Sequence, residues 1–364
     1  MKVVHVHRMR GIGGSERHLL ALLPALAARG HDVTFVGLDD PAWDAEPFYE
    51  RVGVPAKRLP CPRDADPALA RRLRRTLLAL EPDVIHTHLV HADLYGALAS
   101  IRAPWALVST KHNDDPFRAG SFRFAERALT RRADRVVAIT AALARFCIEQ
   151  VGLPQEKVEV VHYGLDKLPA AWGAGTEPPE GRFLLAIARL TEQKGLDVAV
   201  RALAELPADV RLAVLGEGPE RPRLEALAEE LGVSNRLLLP GRVGDVAAWL
   251  RRATLLVHPV RWEGFGLALL EAMLAAKPVV ASEVSSIPEI VVDGETGVLV
   301  PADDPNALVQ ALLGVLQDPG RGERLGAAGR ERALGEFSVA RMASGTLAVY
   351  DRALSGRRSP SSAR

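Results

Sequence analysis

The sequence predicts an α/β protein built from two doubly wound, Rossmann-like domains facing a cleft. Three observations predict it. Short apolar runs alternate with helix-period segments along almost the whole chain, the pattern of a parallel sheet covered by helices on both faces. The alternation breaks once, at the Gly- and Pro-rich stretch Leu168–Gly181, and then restarts. The length, 364 residues, is long for one core and natural for two.

In the first half, Val3–Val6, Val33–Val36, Val84–His86, Trp105–Thr110 and Val136–Ile139 read as strands. Glu16–Arg29, Pro67–Leu80, Ala92–Ser100 and Ala141–Val151 read as helices between them. After the linker come strand Phe183–Ala188, helix Leu196–Leu206, strand Arg211–Leu215 and helix Arg221–Leu231. In that last helix Leu224, Leu227, Ala228 and Leu231 form one apolar stripe. Leu237–Leu239, Thr254–His258 and Pro278–Ala281 complete a second sheet. Ser338–Leu354 suits a final helix, and the polar ending SGRRSPSSAR is expected to be disordered. Ligands are expected at the carboxyl ends of the strands, facing the cleft.

A net charge of +1 gives no global argument for nucleic acid. Arg71, Arg72, Arg74 and Arg75, and again Arg131, Arg132 and Arg135, read as solvated helix faces, with contact to an anionic membrane surface as the alternative. Cys61 and Cys147 form neither a metal spacing nor a disulfide framework, which fits a reducing compartment. The N-terminus lacks a signal-peptide pattern, and no apolar run approaches the ~18 residues of a membrane span. A cytoplasmic protein is the expectation, with peripheral contact at the inner membrane face kept open.

The chemistry centres on Trp262–Ser282. Gly264, Phe265 and Gly266 open a helix whose apolar positions Leu267, Leu270 and Leu274 recur at helical spacing. Glycines let backbone approach a ligand, and a helix N-terminus offers unpaired N–H groups at the positive end of the macrodipole. Such a place binds anions, phosphate above all. Glu263 and Glu271 lie little more than two helical turns apart, so both can address one ligand, and carboxylates accept from hydroxyls. The combination suggests a diphosphate flanked by polyol groups, the form of a nucleotide sugar.

Other candidates sit at strand ends. Gly11-Ile12-Gly13-Gly14-Ser15-Glu16 follows the first strand. A dinucleotide-binding loop would need glycine where Glu16 stands, although Asp39 and Asp40 keep that reading open. Gly13 and Gly14 suit an anion in any case. His86 and His88, with His91 nearby, read as structural rather than metal-binding, because no carboxylate or cysteine supports them. His112, in Lys111-His112-Asn113-Asp114-Asp115, is placed to donate to a sugar hydroxyl or a phosphate. Arg189 and Lys194 follow the first strand of the second half and suit a diphosphate leaving group. Gly216-Glu217-Gly218-Pro219 and Gly241-Arg242-Val243-Gly244 are either plain turns or the walls of a base pocket.

These pieces, in this order, resemble the retaining glycosyltransferases of family 4, also called group 1, with the two-domain GT-B fold. The resemblance is carried by GGSE at 13–16, DVIHTH at 83–88, STKHN at 109–113, ADRVVAIT at 133–140, ARLTEQKG at 188–195, LGEGP at 215–219, PGRV at 240–243, HPVRWEGFGLALLEAMLAAKPVVAS at 258–282 and IPEIVVDGETGVLVPADDP at 287–305. It implies an acceptor-binding domain over 1–166, a linker over 167–181, a donor domain over 182–339, a helix over about 340–356 crossing back to the first domain, and a tail from 357. Arg189 and Lys194 would hold the diphosphate, Glu271 the ribose, and Glu263 the transferred sugar, helped by backbone from Gly264 to Leu267. Gly13 and Gly14 would close on phosphate, His112 would bond the sugar, and Gly216, Arg242 and Val243 would lie near the nucleotide. Tyr163, Ala276 and the pair Ser285-Ser286 depart from residues frequent in the family, namely Asn, Gly and a Gly pair.

The expected reaction is transfer of a sugar from a nucleoside-diphosphate sugar to an acceptor hydroxyl with retention of configuration. No metal and no cofactor beyond the nucleotide-sugar co-substrate is expected. The base, sugar, acceptor and oligomeric state stay open. A nucleotide-sugar 2-epimerase of the same layout, a nicotinamide dehydrogenase and a non-catalytic nucleotide-sugar-binding protein are the rival readings.

Overall fold

The computed structural model describes residues 1–114, 118–171 and 176–358. Asp115, linker positions 172–175 and tail positions 359–364, all named above, lie outside the described residues. The chain divides into two units, Met1–Gly164 with Val339–Arg364, and Leu165–Ser338.

The first unit carries a seven-stranded sheet: β1 Lys2–Met9, β2 Asp32–Asp39, β3 Ala56–Pro60, β4 Val84–His88, β5 Ala106–Lys111, β6 Arg135–Ala138 and β7 Val158–Val160. Its spatial order is β3-β2-β1-β4-β5-β6-β7, and every pairing is parallel. The second unit carries β8 Phe183–Ile187, β9 Arg211–Leu215, β10 Leu237–Gly241, β11 Leu255–His258, β12 Val279–Ser282 and β13 Val298–Val300. Their order is β10-β9-β8-β11-β12-β13, again all parallel. In each sheet the winding reverses beside the first strand, between β1 and β4 and between β8 and β11. Such a switch point is where a doubly wound sheet opens a crevice at its carboxyl edge.

Central strands are apolar on both faces, as burial under helices on both sides requires. The edge strands β3 and β7 are short and mostly polar or exposed, and β13 is a run of only three apolar residues, so none was named from sequence, whereas the edge strand β10 was. The segment Ala141–Val151 is helical only to Arg145, and Phe146–Val151 continues as a wider π turn. Two helices that the reading did not name, Pro305–Leu316 and Pro319–Glu336, complete the second unit. Each starts from an Asp-Pro pair: Asp304 accepts from Ala307 N and Asp318 from Arg321 N, both at 2.9 Å, while proline takes the position needing no N–H donor.

The last helix, Val339–Arg358, is longer than expected, so the first residues of the supposedly disordered ending are helical. It belongs to the first unit, where it contacts the helix Gly14–Ala27 and strands β5 and β6. Met342, Val349, Tyr350 and Ala353 join Leu19, Leu22, Leu23 and Phe35 in that unit's core. The linker flanks lie in the second unit, where Leu165 N–H donates to Phe337 O at 2.9 Å and Trp249 Nε1 to Thr176 O at 2.9 Å. Among the described residues no helix is long and apolar enough to cross a membrane.

Ala276 explains one departure noted above. It sits at φ +53°, in the left-handed region, between the helix Leu267–Leu274 and β12. A residue with a Cβ is strained there. Ala276→Gly should therefore stabilise the protein by about 0.5–1 kcal/mol, after the entropy glycine adds to the unfolded chain. Thermal unfolding checks this, and an unchanged or lower midpoint would contradict it.

Candidate active site

At the switch point of the second unit, two loops lie backbone to backbone. Gly195, at φ +56°, ends the loop after β8, and a Cβ there would stand 1.9 Å from Pro259 O. Only glycine allows that approach. Further bonds clamp the loops. Arg261 N donates to Gln193 O and Gln193 Nε2 to Trp262 O, both at 2.9 Å. The Arg261 guanidinium forks onto Asp197 at 3.0 and 3.1 Å and reaches Glu192 O at 2.6 Å, the bidentate geometry that fixes orientation best.

This clamp brings Lys194 and Glu263 together. Lys194 Nζ lies 2.5 Å from Glu263 Oε2, and His258 Nε2 lies 3.2 Å from the same oxygen. Burial alone would raise the Glu263 carboxyl, but the charge of Lys194 and the bond and charge of His258 outweigh it and hold it well below the usual carboxylate range. His258 is itself lowered, mainly by burial. Ser286, buried, donates its Oγ to Glu263 O at 2.9 Å. That serine, one of the pair standing where glycines are frequent in the resembling family, thus ties down the loop that opens the helix Leu267–Leu274.

The helix starts from Gly266 at φ +91°, with Gly264, Phe265 and Leu267 buried around its first turn. Glu271 lies on this helix, 1% exposed. Gly216 and Gly218 show the same close approach as Gly195: a Cβ on either would meet Ala188 O at 2.0 Å or Leu190 O at 2.2 Å. Arg189 is exposed at the end of β8 and has no ion-pair partner among the described residues. Arg242 is exposed and Val243 half-buried after β10. Of the residues singled out from sequence in this unit, Lys194 and Glu263 are joined by direct contact. Arg189, Gly216, Arg242 and Val243 follow the ends of β8, β9 and β10.

The first unit's switch point is built from histidines. His5 and His7 on β1 pair in register with His86 and His88 on β4, so strand alternation sets all four on one face. His112 follows β5 on the same face. His18, from the helix Gly14–Ala27, stacks on Tyr163 with ring centroids 4.4 Å apart. Burial lowers His5 and His18 to about 3 and holds His86, His88 and His112 well below the usual imidazole range. Both ring nitrogens of His112 are engaged, Nε2 with His88 Nδ1 at 3.0 Å and Nδ1 with the Tyr163 hydroxyl. His5, His86 and His88 have nitrogens within 4.8 Å of one another, as a metal site would need. Yet each spends both nitrogens on hydrogen bonds, and among the described residues no carboxylate or cysteine joins the group.

Glu16 closes the glycine loop. Its carboxylate accepts from Gly13 N at 2.9 Å and from Ser15 Oγ at 3.0 Å. The glycine a dinucleotide loop requires is thus replaced by a residue that caps its own helix. On the opposite face of the sheet, Lys111 bonds Asp93 at 2.6 Å and lies 3.2 Å from Glu126. Arg118 pairs with Glu126 and donates to Asn113 O at 2.6 Å, fixing the segment that carries His112.

Sequence reasoning gave no role to His258, Arg261, His5 or Tyr350, and it named Ser286 as a departure from the resembling family without its contact to Glu263 O. His5-Val6-His7 carried a visible alternation, but Tyr350 had no local signal, since its partner His86 is 264 positions away.

The two doubly wound, all-parallel sheets are those of the GT-B fold. Two families match, "Glycosyltransferase Family 4" over residues 12–167 and "Glycosyl transferases group 1" over residues 173–332. The chain belongs to these group 1, family 4 glycosyltransferases. It is 32% identical to the D-inositol 3-phosphate glycosyltransferase of Xylanimonas cellulosilytica, covering 95% of this chain and 93% of that one. It is 31% identical to the alpha-maltose-1-phosphate synthase of Mycolicibacterium smegmatis, over 73% of this chain and 78% of the other. Among solved structures, Anabaena Alr3699/HepE in complex with UDP and glucose superposes with a TM-score of 0.85 at 23% identity, covering 96% of this chain and 99% of that one.

The Lys194–Glu263 pair gives a pH prediction. A depressed folded pKa stabilises above the ordinary Glu range, near 4.3, and that contribution is lost as pH falls below it. Lys194→Met should cost about 2 kcal/mol at pH 7 and progressively less below about pH 4, where Glu263 of the unfolded chain takes up a proton that the folded wild type does not. Denaturant unfolding of both proteins from pH 7 to pH 3 checks this. A difference that does not shrink with pH would refute the assignment.

Proposed function

We propose that this chain transfers a sugar from a nucleoside-diphosphate sugar to an acceptor hydroxyl, with retention of anomeric configuration and without a metal. The observation that carries the reading is the Lys194–Glu263 pair, 2.5 Å apart, clamped at the β8/β11 switch point before the N-terminus of Leu267–Leu274. Cation, carboxylate and helix N-terminus in one place match a ligand with both phosphate and hydroxyls. Anabaena Alr3699/HepE, solved with UDP and with UDP-glucose, supports a ligand of this class.

On this reading Arg189 and Lys194 take charge from the leaving diphosphate, and Glu263 turns to the hydroxyls of the transferred sugar. Glu271 accepts from the ribose. Backbone of Gly264 to Leu267 orients the phosphates, Gly13 and Gly14 offer N–H groups to them, and His112 serves the sugar. Gly216, Arg242 and Val243 flank the nucleotide. Attack on the same face, with the leaving phosphate taking the acceptor proton, needs no carboxylate nucleophile.

On this reading the protein works in the cytoplasm, and peripheral contact with the inner membrane face is the alternative to solvated helix faces. Three neighbouring helices, Pro67–Leu80, Leu89–Ala99 and Arg123–Arg132, support this contact, with exposed Leu78, Leu98 and Phe124 beside exposed Arg71, Arg75 and Arg131.

A thermal-shift screen against UDP, GDP, ADP and their sugars should single out one donor, since a ligand raises the midpoint with its affinity. With that donor, Arg189→Ala and Lys194→Ala should each lower transfer about 100-fold, about 3 kcal/mol of lost transition-state stabilisation. Activity should survive EDTA. Conversion of the sugar without any acceptor would favour the epimerase, and unchanged turnover in Lys194→Ala would overturn the reading.

A further inference from the structure

We propose that Tyr350, from the last helix, ties the tautomer of His112 to that of His86, through one chain of imidazoles whose tautomers are ordered together. The chain is continuous. Thr110 Oγ1 lies 2.6 Å from His86 Nε2, His86 Nδ1 2.7 Å from Tyr350 OH, and Tyr350 OH 3.1 Å from His5 Nε2. His5 Nδ1 is 2.9 Å from His88 Nε2 and His88 Nδ1 3.0 Å from His112 Nε2, whose Nδ1 meets the Tyr163 hydroxyl.

Neutral imidazole has one donor and one acceptor. Each link can therefore hold only one proton. Two protons between a pair of rings clash, and none leaves two lone pairs facing each other at 2.9–3.0 Å. Tyr350 passes the constraint along. If it accepted from both His86 and His5, its own proton would have no acceptor among the described residues, in a fully buried place. The atoms leave two arrangements. Running from Thr110 outward, every histidine accepts at Nε2 and donates from Nδ1. Running inward from Tyr163, every histidine donates from Nε2 and accepts at Nδ1. All four share one tautomer in either case.

The inner end stops at buried Thr110, and Tyr350 in mid-chain is buried too, so the chain orders protons and does not drain them to solvent. The outer end is half-buried His112 with Tyr163, the residue standing where the resembling family often has Asn. Tyr350 is thus a positioning residue that never touches His112. Its consequence for sugar transfer rests on the assignment of His112 made above; the tautomer order does not.

Long-range ¹⁵N–¹H spectra of the full chain with ¹⁵N-labelled histidine test this. His5, His86, His88 and His112 should report one common tautomer. In Tyr350→Phe, which keeps the ring and removes the hydroxyl, His86 Nδ1 and His5 Nε2 lose their acceptor, so both should go unprotonated and His86 and His112 should no longer share a tautomer. Should that variant fail to fold, His5→Leu breaks the same chain one link nearer. Mixed tautomers in the wild type, or His86 and His112 still sharing one tautomer in a folded variant, would overturn the proposal. With the donor found by thermal shift, Tyr350→Phe should lower kcat several-fold and leave the donor KM unchanged. A wild type without transfer activity would defeat the proposed function and leave the spectra to decide the chain.

Discussion

One close approach of backbone to backbone underlies the second unit's chemistry. Gly195 lies so near Pro259 O that any side chain would collide with it. Because the loops after β8 and β11 meet there, a lysine from one reaches a carboxylate from the other. Arg261 then holds both loops through Asp197, Glu192 and Gln193. Rigid placement of this kind matters because charge stabilisation depends on donors being in position before charge develops. Gly216 and Gly218 repeat the device one strand over, where they let main chain pack against Ala188 O and Leu190 O.

The first unit solves a different problem with strand alternation. Along β4 and β5, one face carries His86, His88 and Thr110, and the other Thr87, Ser109 and Lys111. The second set gathers on Asp93, which accepts from Thr87 at 2.5 Å and Ser109 at 2.7 Å as well as from Lys111. Burial would lower the Lys111 ammonium, but Asp93 and Glu126 outweigh it and raise it. Asp93, Lys111, Glu126 and Arg118 balance as two anions and two cations, the condition under which buried charge is tolerable. One sheet thus supports neutral imidazoles on one side and paired ions on the other, and both networks converge on the segment after β5.

Much of this was legible in the sequence, and the rest was hidden for physical reasons. Central strands declared themselves by apolar runs because they are covered twice. The edge strands β3, β7 and β13 did not, being short with half their surface in water, while the edge strand β10 did through Leu237–Leu239. The helices after Asp304 and Asp318 announced themselves through Asp-Pro starts, a local signal present in the text and passed over. Lys194 and Glu263 were legible as residues, but their contact was not, because it depends on a glycine whose role appears only where Pro259 O lies. His258 and Ser286 act by touching Glu263, and nothing local in their neighbourhoods says so. Tyr350 lay furthest out of reach: it is an aromatic in a core-facing helix, and only the fold reveals that its hydroxyl lies between two histidines.

Both candidate phosphate positions are engaged by the chain's own carboxylates. Glu263 holds Lys194, and Glu16 holds the N–H of Gly13. On the proposed reading, a diphosphate reaching Lys194 exchanges with Glu263, and the displaced carboxylate then sits next to a cation it no longer neutralises alone. A carboxylate in a mostly buried place needs donors. A bare nucleotide supplies none there, whereas a sugar joined to the phosphate brings hydroxyls to the same spot. The exchange is balanced only when phosphate and sugar arrive as one molecule. The pair is thereby a reason for the site to prefer an intact donor over the nucleotide left after transfer, using a single lysine, a single glutamate and the glycine that lets them meet.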